Sequence, residues 1–463
     1  MLMYKPLRRL KLALIKDWHS HKHAPFVALL ALLTILVVVA YYLNHPKAEP
    51  LADTWSYLDM VRNIETRGHL VDPWRLPGYP LLIVVVYTFA GQGNFAAVAV
   101  LQAILFVLTT LEIYLLAVLI LRRAWIAFCI GLLVGPDPVL LSFIKPLMTE
   151  AFGLWLLTSL ALALVAFLYT NRTTRLRFLW LTAVCALLLF LTRPEWIYLP
   201  IPLFAYLLLM EARKDHLRRL LVHALAALIL LYGVLGGYIY INVTQNHFPG
   251  VTLIQNINEL GKVLQYNMQD EAPEQYKQSR LILDRYVAKG IRDPYPILAR
   301  ESSLRVPASI PAGQYSQWII LHHPFEFLLK SAPIFFSSLT DYYQESLILP
   351  AGPFGFLLIA LQYAFRVLYA LNVLFTPCAL IWLFLLCWRR TRNLREVQAM
   401  GAIILLICYG LAMGALGAYR GVDYMRIHIL FDPLLTLVIW GTVLTGLRLK
   451  LRNFNKQYSR LSI

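Results

Sequence analysis

Residues Asp53–Pro80 read DTWSYLDMVRNIETRGHLVDPWRLPGYP and run without a break into the apolar stretch LLIVVVYTFAG, Leu81–Gly91. Whether the apolar run at 77–91 crosses a membrane decides the topology of everything after it. That a membrane is involved follows from composition: the 463 residues are 59% hydrophobic and only 14% charged. Soluble globular chains carry roughly 25% charged residues, so this is a membrane protein with several spans. The 77–91 run is marginal as one of them. A span takes about 17–25 apolar residues, and this one opens with Pro77, Gly78 and Pro80, which are poor helix-interior residues.

The distribution of cations settles its reading. Apolar runs lie at about 25–43, 77–91, 95–121, 124–144, 147–169, 177–192, 196–210, 220–242, 353–388, 398–418 and 427–447. If 77–91 stays on one surface, then the N-terminus, Arg122–Arg123, 171–177, 211–219, 389–396 and 448–460 all fall on the same side. Together these hold 24 of the 42 Lys and Arg residues and only four acids: Asp17, Glu211, Asp215 and Glu396. Cytoplasmic loops carry this excess. If 77–91 crossed, every basic loop after the N-terminus would move to the other side. We therefore expect an amphipathic or re-entrant outer-surface piece there, about ten spans, and both termini in the cytoplasm. The 353–388 run is too long for one ordinary span, and its 353–366 part is read as interfacial. The formal charge of +17 is then mostly a topology signal, and a nucleic-acid partner is excluded.

The fold class expected is an all-α polytopic membrane protein with juxtamembrane helices on its outer face. A basic cytoplasmic tail (1–24) precedes a transmembrane module (25–242) that contains an outer loop (44–94). An extracytoplasmic loop with surface helices (243–352) follows, then C-terminal transmembrane helices (353–447) and a second basic tail (448–463). The polar part of that loop, about 243–325, shows helical stretches near 252–268 and 273–289 and is read as two or three helices. No cleavable signal is evident before the first span, which is expected to remain as an anchor. Cys129, Cys185, Cys378, Cys387 and Cys408 all lie in apolar segments and are read as small core residues without disulfides. The bacterial inner membrane is the default location.

With that topology, the polar residues at outer span ends form a short set. The first loop gives Asp53, Asp59, Asp72 and Arg75. IKPLMTEAF gives Lys145 and Glu150, and LTRPEW gives Arg193 and Glu195. AYRGVDYMRIHILFDP gives Arg420, Asp423, Arg426, His428 and Asp432. Charges held at a membrane boundary need pairing, solvation or a function. Arginine is the better bidentate ligand for a lipid phosphate, and a carboxylate near an acceptor hydroxyl or amine serves as general base. Tyr57, Val61 and Ile64 recur at helical spacing after Asp53, and Gly68 closes the helix.

Plainer roles compete. Asp53 or Glu150 as helix caps would need no chemistry. Arg193 and Arg426 as snorkelling anchors would need none either. Glu112, mid-span, reads as a buried structural acid. His19, His21 and His23 have a ligand-like spacing but lie in the basic tail. His69, His322 and His323 lack a supporting carboxylate or cysteine spacing.

Asp53-Thr-Trp-Ser-Tyr57, Arg75-Leu-Pro-Gly-Tyr79-Pro80, Thr149-Glu150, Leu191-Thr-Arg193-Pro194-Glu195 and Tyr424-Met-Arg426-Ile-His428, in this order, resemble the GT-C superfamily of integral-membrane glycosyltransferases. The likeness is to the protein O-mannosyltransferase and aminoarabinose transferase branch. It is strongest over about 25–210 and recurs weakly at 415–447. It implies a polyprenyl-phosphate-linked sugar donor, an extracytoplasmic active site, and a lipid, glycan or protein acceptor, with membrane lipids around. It implies that Asp53 and Glu150 are catalytic and that Arg75 holds the lipid phosphate. We expect Arg193, Arg426 and His428 to join that phosphate site, and Tyr57, Tyr79 and Glu195 to contact substrate. No cofactor is specified and no metal ligand set is assigned, although the residues admit a divalent cation. Many relatives pair two acids in the first loop, whereas here Thr54 follows Asp53. Two other classes fit the same charges: a transporter or flippase of lipid-linked sugars, and a non-catalytic envelope-assembly subunit.

Overall fold

The computed structural model describes residues 23–44, 47–48, 50–170, 172–211, 217–305, 310–339, 352–388, 395–419 and 421–445. Arg420, most of both basic tails with His19 and His21, and parts of the basic loops lie outside the described residues. So does the side chain of Asp423.

The described residues are helical throughout, without strands. Among the described residues, seven helices are long and apolar enough to cross a membrane: Ala24–Asn44, Phe95–Leu121, Glu150–Tyr169, Thr174–Thr192, Leu217–Asn246, Gly355–Ile381 and Arg395–Gly417. This is an integral membrane protein. Prolines and glycines divide the other apolar runs into shorter helices. Gly135-Pro136-Asp137-Pro138 splits 124–144 into Ala124–Leu132 and the short Pro138–Ser142 helix. Pro194 and Pro200 leave a twelve-residue helix, Pro200–Glu211. The last run becomes Gly421–Ile429 followed by Asp432–Thr445. Gly78–Ala90 has 13 residues, about 20 Å at 1.5 Å per residue, against a hydrocarbon layer of about 30 Å.

Two expectations need correction. The 353–388 run has no break at 366: Gly355–Trp388 is one helix of 34 residues, with Pro377 inside it. Arg366 therefore falls within a candidate span, its guanidinium 5.4 Å from the Tyr363 ring centre. The long polar loop also holds more than two or three helices. Leu253–Gln265, Lys277–Val287, Pro294–Arg300, Ser302–Arg305, Ile310–His322 and Pro324–Ser337 pack around their own core of Ile257, Leu260, Leu283, Ile297, Tyr315 and Ile319.

The main bundle core is built on Glu150–Tyr169, the most buried of the spans, packed between Phe95–Leu121 and Arg172–Thr192. The bundle has two chemically distinct ends. At one, Arg122 pairs with Glu396 at 3.7 Å, the buried Arg175 pairs with Glu211, and Arg395 Nη1 donates to the Tyr169 carbonyl at 2.9 Å. The described members of the basic loops at 122–123, 171–177, 211–219 and 389–396 thus include Arg122, Arg175 and Arg395 at one end. The other end carries the first loop and the loop subdomain, joined where Leu253 N donates to the Pro73 carbonyl at 2.7 Å.

Gly78 permits a close approach to backbone at this second end. A Cβ there would lie 2.6 Å from Thr192 Oγ1 and 2.8 Å from the Leu191 carbonyl carbon and oxygen. Backbone atoms cannot yield as a side-chain tip does. Gly78→Ala is expected to destabilise the protein by about 1–3 kcal/mol, the usual cost of overpacking. Thermal unfolding in detergent checks this, and an unchanged midpoint contradicts the close approach.

Candidate active site

Six charged residues from five segments form one alternating chain at this end. Arg75 Nη2 donates to Asp53 Oδ1 at 2.8 Å. Asp53 Oδ2 accepts from Arg426 Nη1 at 3.0 Å. Arg426 Nε reaches Glu150 Oε1 at 2.7 Å. The same oxygen accepts from Arg193 Nη1 at 3.4 Å, and Arg193 Nε donates to Glu195. Three carboxylates and three guanidiniums thus neutralise one another in a region where isolated charges would be strongly penalised.

Each member is placed by a local feature of the sequence. The Ala52–Arg67 helix starts after Leu51, and its cap is supplied by Thr54, whose Oγ1 accepts from Leu51 N at 2.9 Å. Asp53 therefore makes no cap and turns its carboxylate to the arginines. The helix ends at Gly68 in the left-handed conformation, φ 67°, where glycine is least strained. Asp72 Oδ1 then accepts from the backbone N–H groups of Trp74 at 2.7 Å and Arg75 at 3.1 Å, shaping the turn that presents Arg75. The Arg75 guanidinium rests 4.5 Å from the Tyr57 ring centre and also donates to Ser56 Oγ at 2.7 Å and Tyr57 OH at 3.3 Å. Glu150 is the first residue of its helix. Arg193 and Glu195 belong to the Pro194–Trp196 turn that follows Thr192, and Arg426 comes from Gly421–Ile429.

Burial sets the electrostatics. The Glu150 side chain is fully buried, and its Oε2 has no hydrogen-bond partner. Arg193 is 11% and Asp53 31% exposed, so the Asp53 end opens to solvent. Burial by itself raises the Asp53 carboxyl, but Arg75 and Arg426 outweigh it and hold the group below the ordinary carboxylate range. For Arg426, burial opposes the charge, and Glu150 and Asp53 more than restore it. The Asp53 carboxylate is therefore ionised at neutral pH.

Of the residues singled out in the sequence, Asp53, Arg75, Glu150, Arg193, Glu195 and Arg426 join this chain, with Tyr57 beneath Arg75. Two stand apart. Tyr79 is fully buried behind Tyr57, ring centres 5.2 Å apart, and donates to Gln102 Oε1 at 2.6 Å. His428 lies two residues past Arg426, which on a helix points elsewhere. Its Nδ1 is 2.5 Å from Asp432 Oδ1, and its ring packs on Phe431. Asp59 is exposed, 3.8 Å from Arg62. Lys145 is buried over the rings of Tyr41 and Tyr42. Glu112 accepts from Ser159 Oγ at 2.8 Å.

Sequence reasoning did not find Ser56 or Thr149, which bind the arginines, nor Gln102, whose amide donates to the Ile144 and Pro146 carbonyls. A glutamine alone in an apolar run was the signal for Gln102. In the chain, each carboxylate already has a guanidinium partner. Among the described residues, the group with metal-ligand spacing is elsewhere: one ligand atom each from Glu271, His323 and Glu326 lies within 4.8 Å of the others. His69 and His322 are not part of it, and Lys330 pairs with Glu326 at 2.5 Å.

No family model matches the sequence, and no curated protein matches it. Solved structures do. The oligosaccharyltransferase AglB from Archaeoglobus fulgidus, in complex with an inhibitory peptide and a dolichol-phosphate, aligns over 96% of this chain and 52% of its own, with 12% identity and a TM-score of 0.52. The apo crystal structure of the Archaeoglobus fulgidus oligosaccharyltransferase gives 13% identity and a TM-score of 0.51 over the same shares. ArnT from Cupriavidus metallidurans, in the apo state, gives 14% identity and a TM-score of 0.39, over 85% of this chain and 78% of its own. The protein has the fold of the GT-C membrane glycosyltransferases. It spans about half the length of the oligosaccharyltransferase chains it matches.

Proposed function

We propose that this protein is a membrane glycosyltransferase that moves one sugar from a polyprenyl-phosphate-linked donor to an acceptor on the extracytoplasmic face. The observation that carries this reading is the ion-pair chain Arg75–Asp53–Arg426–Glu150–Arg193–Glu195 at one end of a GT-C-type bundle. The clustering of basic loops at the opposite end supports the orientation. That the similar AglB structure holds a dolichol-phosphate and a peptide supports the pair of substrates.

In the proposed reaction the bond between the anomeric carbon and the phosphate oxygen breaks as an acceptor oxygen or nitrogen bonds to that carbon. The acceptor proton passes to Asp53, and polyprenyl phosphate leaves. Arg75 and Arg426, already beside Asp53, meet the charge that builds on the leaving phosphate. Glu150 and Arg193 fix Arg426 from behind. The preformed array needs no reorganisation during the reaction. The test is mass spectrometry of the co-purified lipid, followed by incubation of the protein with polyprenyl-phosphate sugars and candidate acceptors. A purified protein that binds the lipid but never turns over favours the assembly-subunit reading instead.

Arg75→Ala gives a pH test. With Arg75 present, the Asp53 carboxyl lies below its ordinary value; without it, burial opposed by Arg426 alone lets the pKa rise. Because activity needs the ionised form, the acid limb of the kcat/KM profile is expected to shift to higher pH. An acid limb left in place contradicts Asp53 as the base.

A further inference from the structure

The helix Pro324–Ser337 carries an exposed face without a charged residue. Phe325 is 87% exposed, Leu329 75% and Phe336 66%, and Leu328 and Pro333 are exposed with them. At 100° per residue these positions fall on one stripe, which Leu321 of the preceding helix extends.

The other faces of this helix are occupied. Phe327 and Ile334 pack into the core of the loop subdomain, and Phe335 packs against the core of the membrane bundle. Ser331 Oγ accepts from Tyr266 OH at 2.9 Å, and Lys330 Nζ donates to the Tyr266 carbonyl at 2.8 Å. The helix also lies directly against Arg395–Gly417, one of the candidate spans. The subdomain is tethered at both ends by spans, Leu217–Asn246 before it and Gly355–Ile381 after it. The helix is thus wedged between a candidate span and the subdomain.

We propose that Pro324–Ser337 docks on the membrane itself, with Phe325, Leu328, Leu329 and Phe336 inserted among the acyl chains at the headgroup boundary. Its 14 residues make about 21 Å of helix, too short to cross and suited to lying in the interface. Water penalises a stripe of large apolar side chains, and the acyl layer removes that penalty. The bilayer is the occupant favoured over a protein partner because the stripe adjoins a span and both chain ends return to the membrane.

The test incorporates the photo-crosslinker p-benzoyl-phenylalanine at Phe325, Phe336 or Leu329 of the full chain, reconstituted in vesicles of phosphatidylethanolamine and phosphatidylglycerol. A control carries it at Lys277, 58% exposed on a polar helix. The Phe positions exchange one aromatic ring for another, and elution on size exclusion verifies folding of each variant. Lipid adducts at all three stripe positions and none above background at 277 are expected. Stripe positions that yield no more lipid adduct than 277 overturn the proposal, as do adducts that go to a second protein chain. Neither outcome depends on glycosyl transfer.

Discussion

Asp53→Asn is expected to leave the protein folded and membrane-inserted but to reduce transfer by about 10²–10⁴-fold, the usual contribution of a general base. The amide keeps the size and one oxygen of the carboxylate, so one of Arg75 and Arg426 retains its hydrogen-bond acceptor while the other faces the NH2 group. What it loses is the capacity to take a proton. A capping role would be nearly indifferent to this change, since Asn caps as well as Asp, and the cap here is Thr54 in any case. The measurement is turnover of a polyprenyl-phosphate sugar by purified variant and parent, with size exclusion as the folding control. Wild-type turnover by Asp53→Asn would sink the assignment of Asp53 as base.

The largest structural effect is expected from Arg426→Ala. This side chain bridges Asp53 and Glu150, and Glu150 is fully buried with one oxygen already unpaired. Without Arg426, Glu150 keeps only the longer 3.4 Å contact to Arg193. Removing one partner of a buried pair costs about 3–5 kcal/mol, because the remaining charge stays desolvated. The variant is expected to unfold at lower temperature and to lose transfer. The double variant Arg426→Ala/Glu150→Gln separates the two losses. It removes the stranded charge, so stability returns while transfer remains absent. A single variant as stable as the parent would mean that Arg426 is a surface anchor rather than the centre of the chain.

How much of this was legible in sequence follows from the kind of signal each feature leaves. Composition and the one-sided distribution of Lys and Arg specified a polytopic all-α membrane protein. They also indicated that 77–91 is not a span, because charge asymmetry and hydropathy are summed over many residues and tolerate local error. The breaks at 135–138 and 194–200 were not expected because prolines act at single positions inside runs whose average stays apolar. The continuous helix through 366 went the other way. The length of its apolar run suggested a division that nothing local imposes, and Pro377 leaves the helix continuous.

The site shows the same division. The order of short motifs brought Asp53, Arg75, Glu150, Arg193, Glu195 and Arg426 onto one side, since each lies near a span end. Their alternation in space came only from the packing of the Ala52–Arg67, Glu150–Tyr169 and Gly421–Ile429 helices, which sequence spacing does not encode. The freedom of Asp53 from capping depended on one hydroxyl, that of Thr54, reaching the Leu51 N–H. His428 and Tyr79 were drawn toward the site by their place in motifs, but helical geometry and burial set them behind it. Sequence by itself determined that this is a helical membrane protein with most of its charges near the ends of its apolar runs, because the cost of burying charge is written in composition. The tertiary structure alone decided which of them touch, because ion pairing depends on distances of a few ångströms between segments hundreds of residues apart.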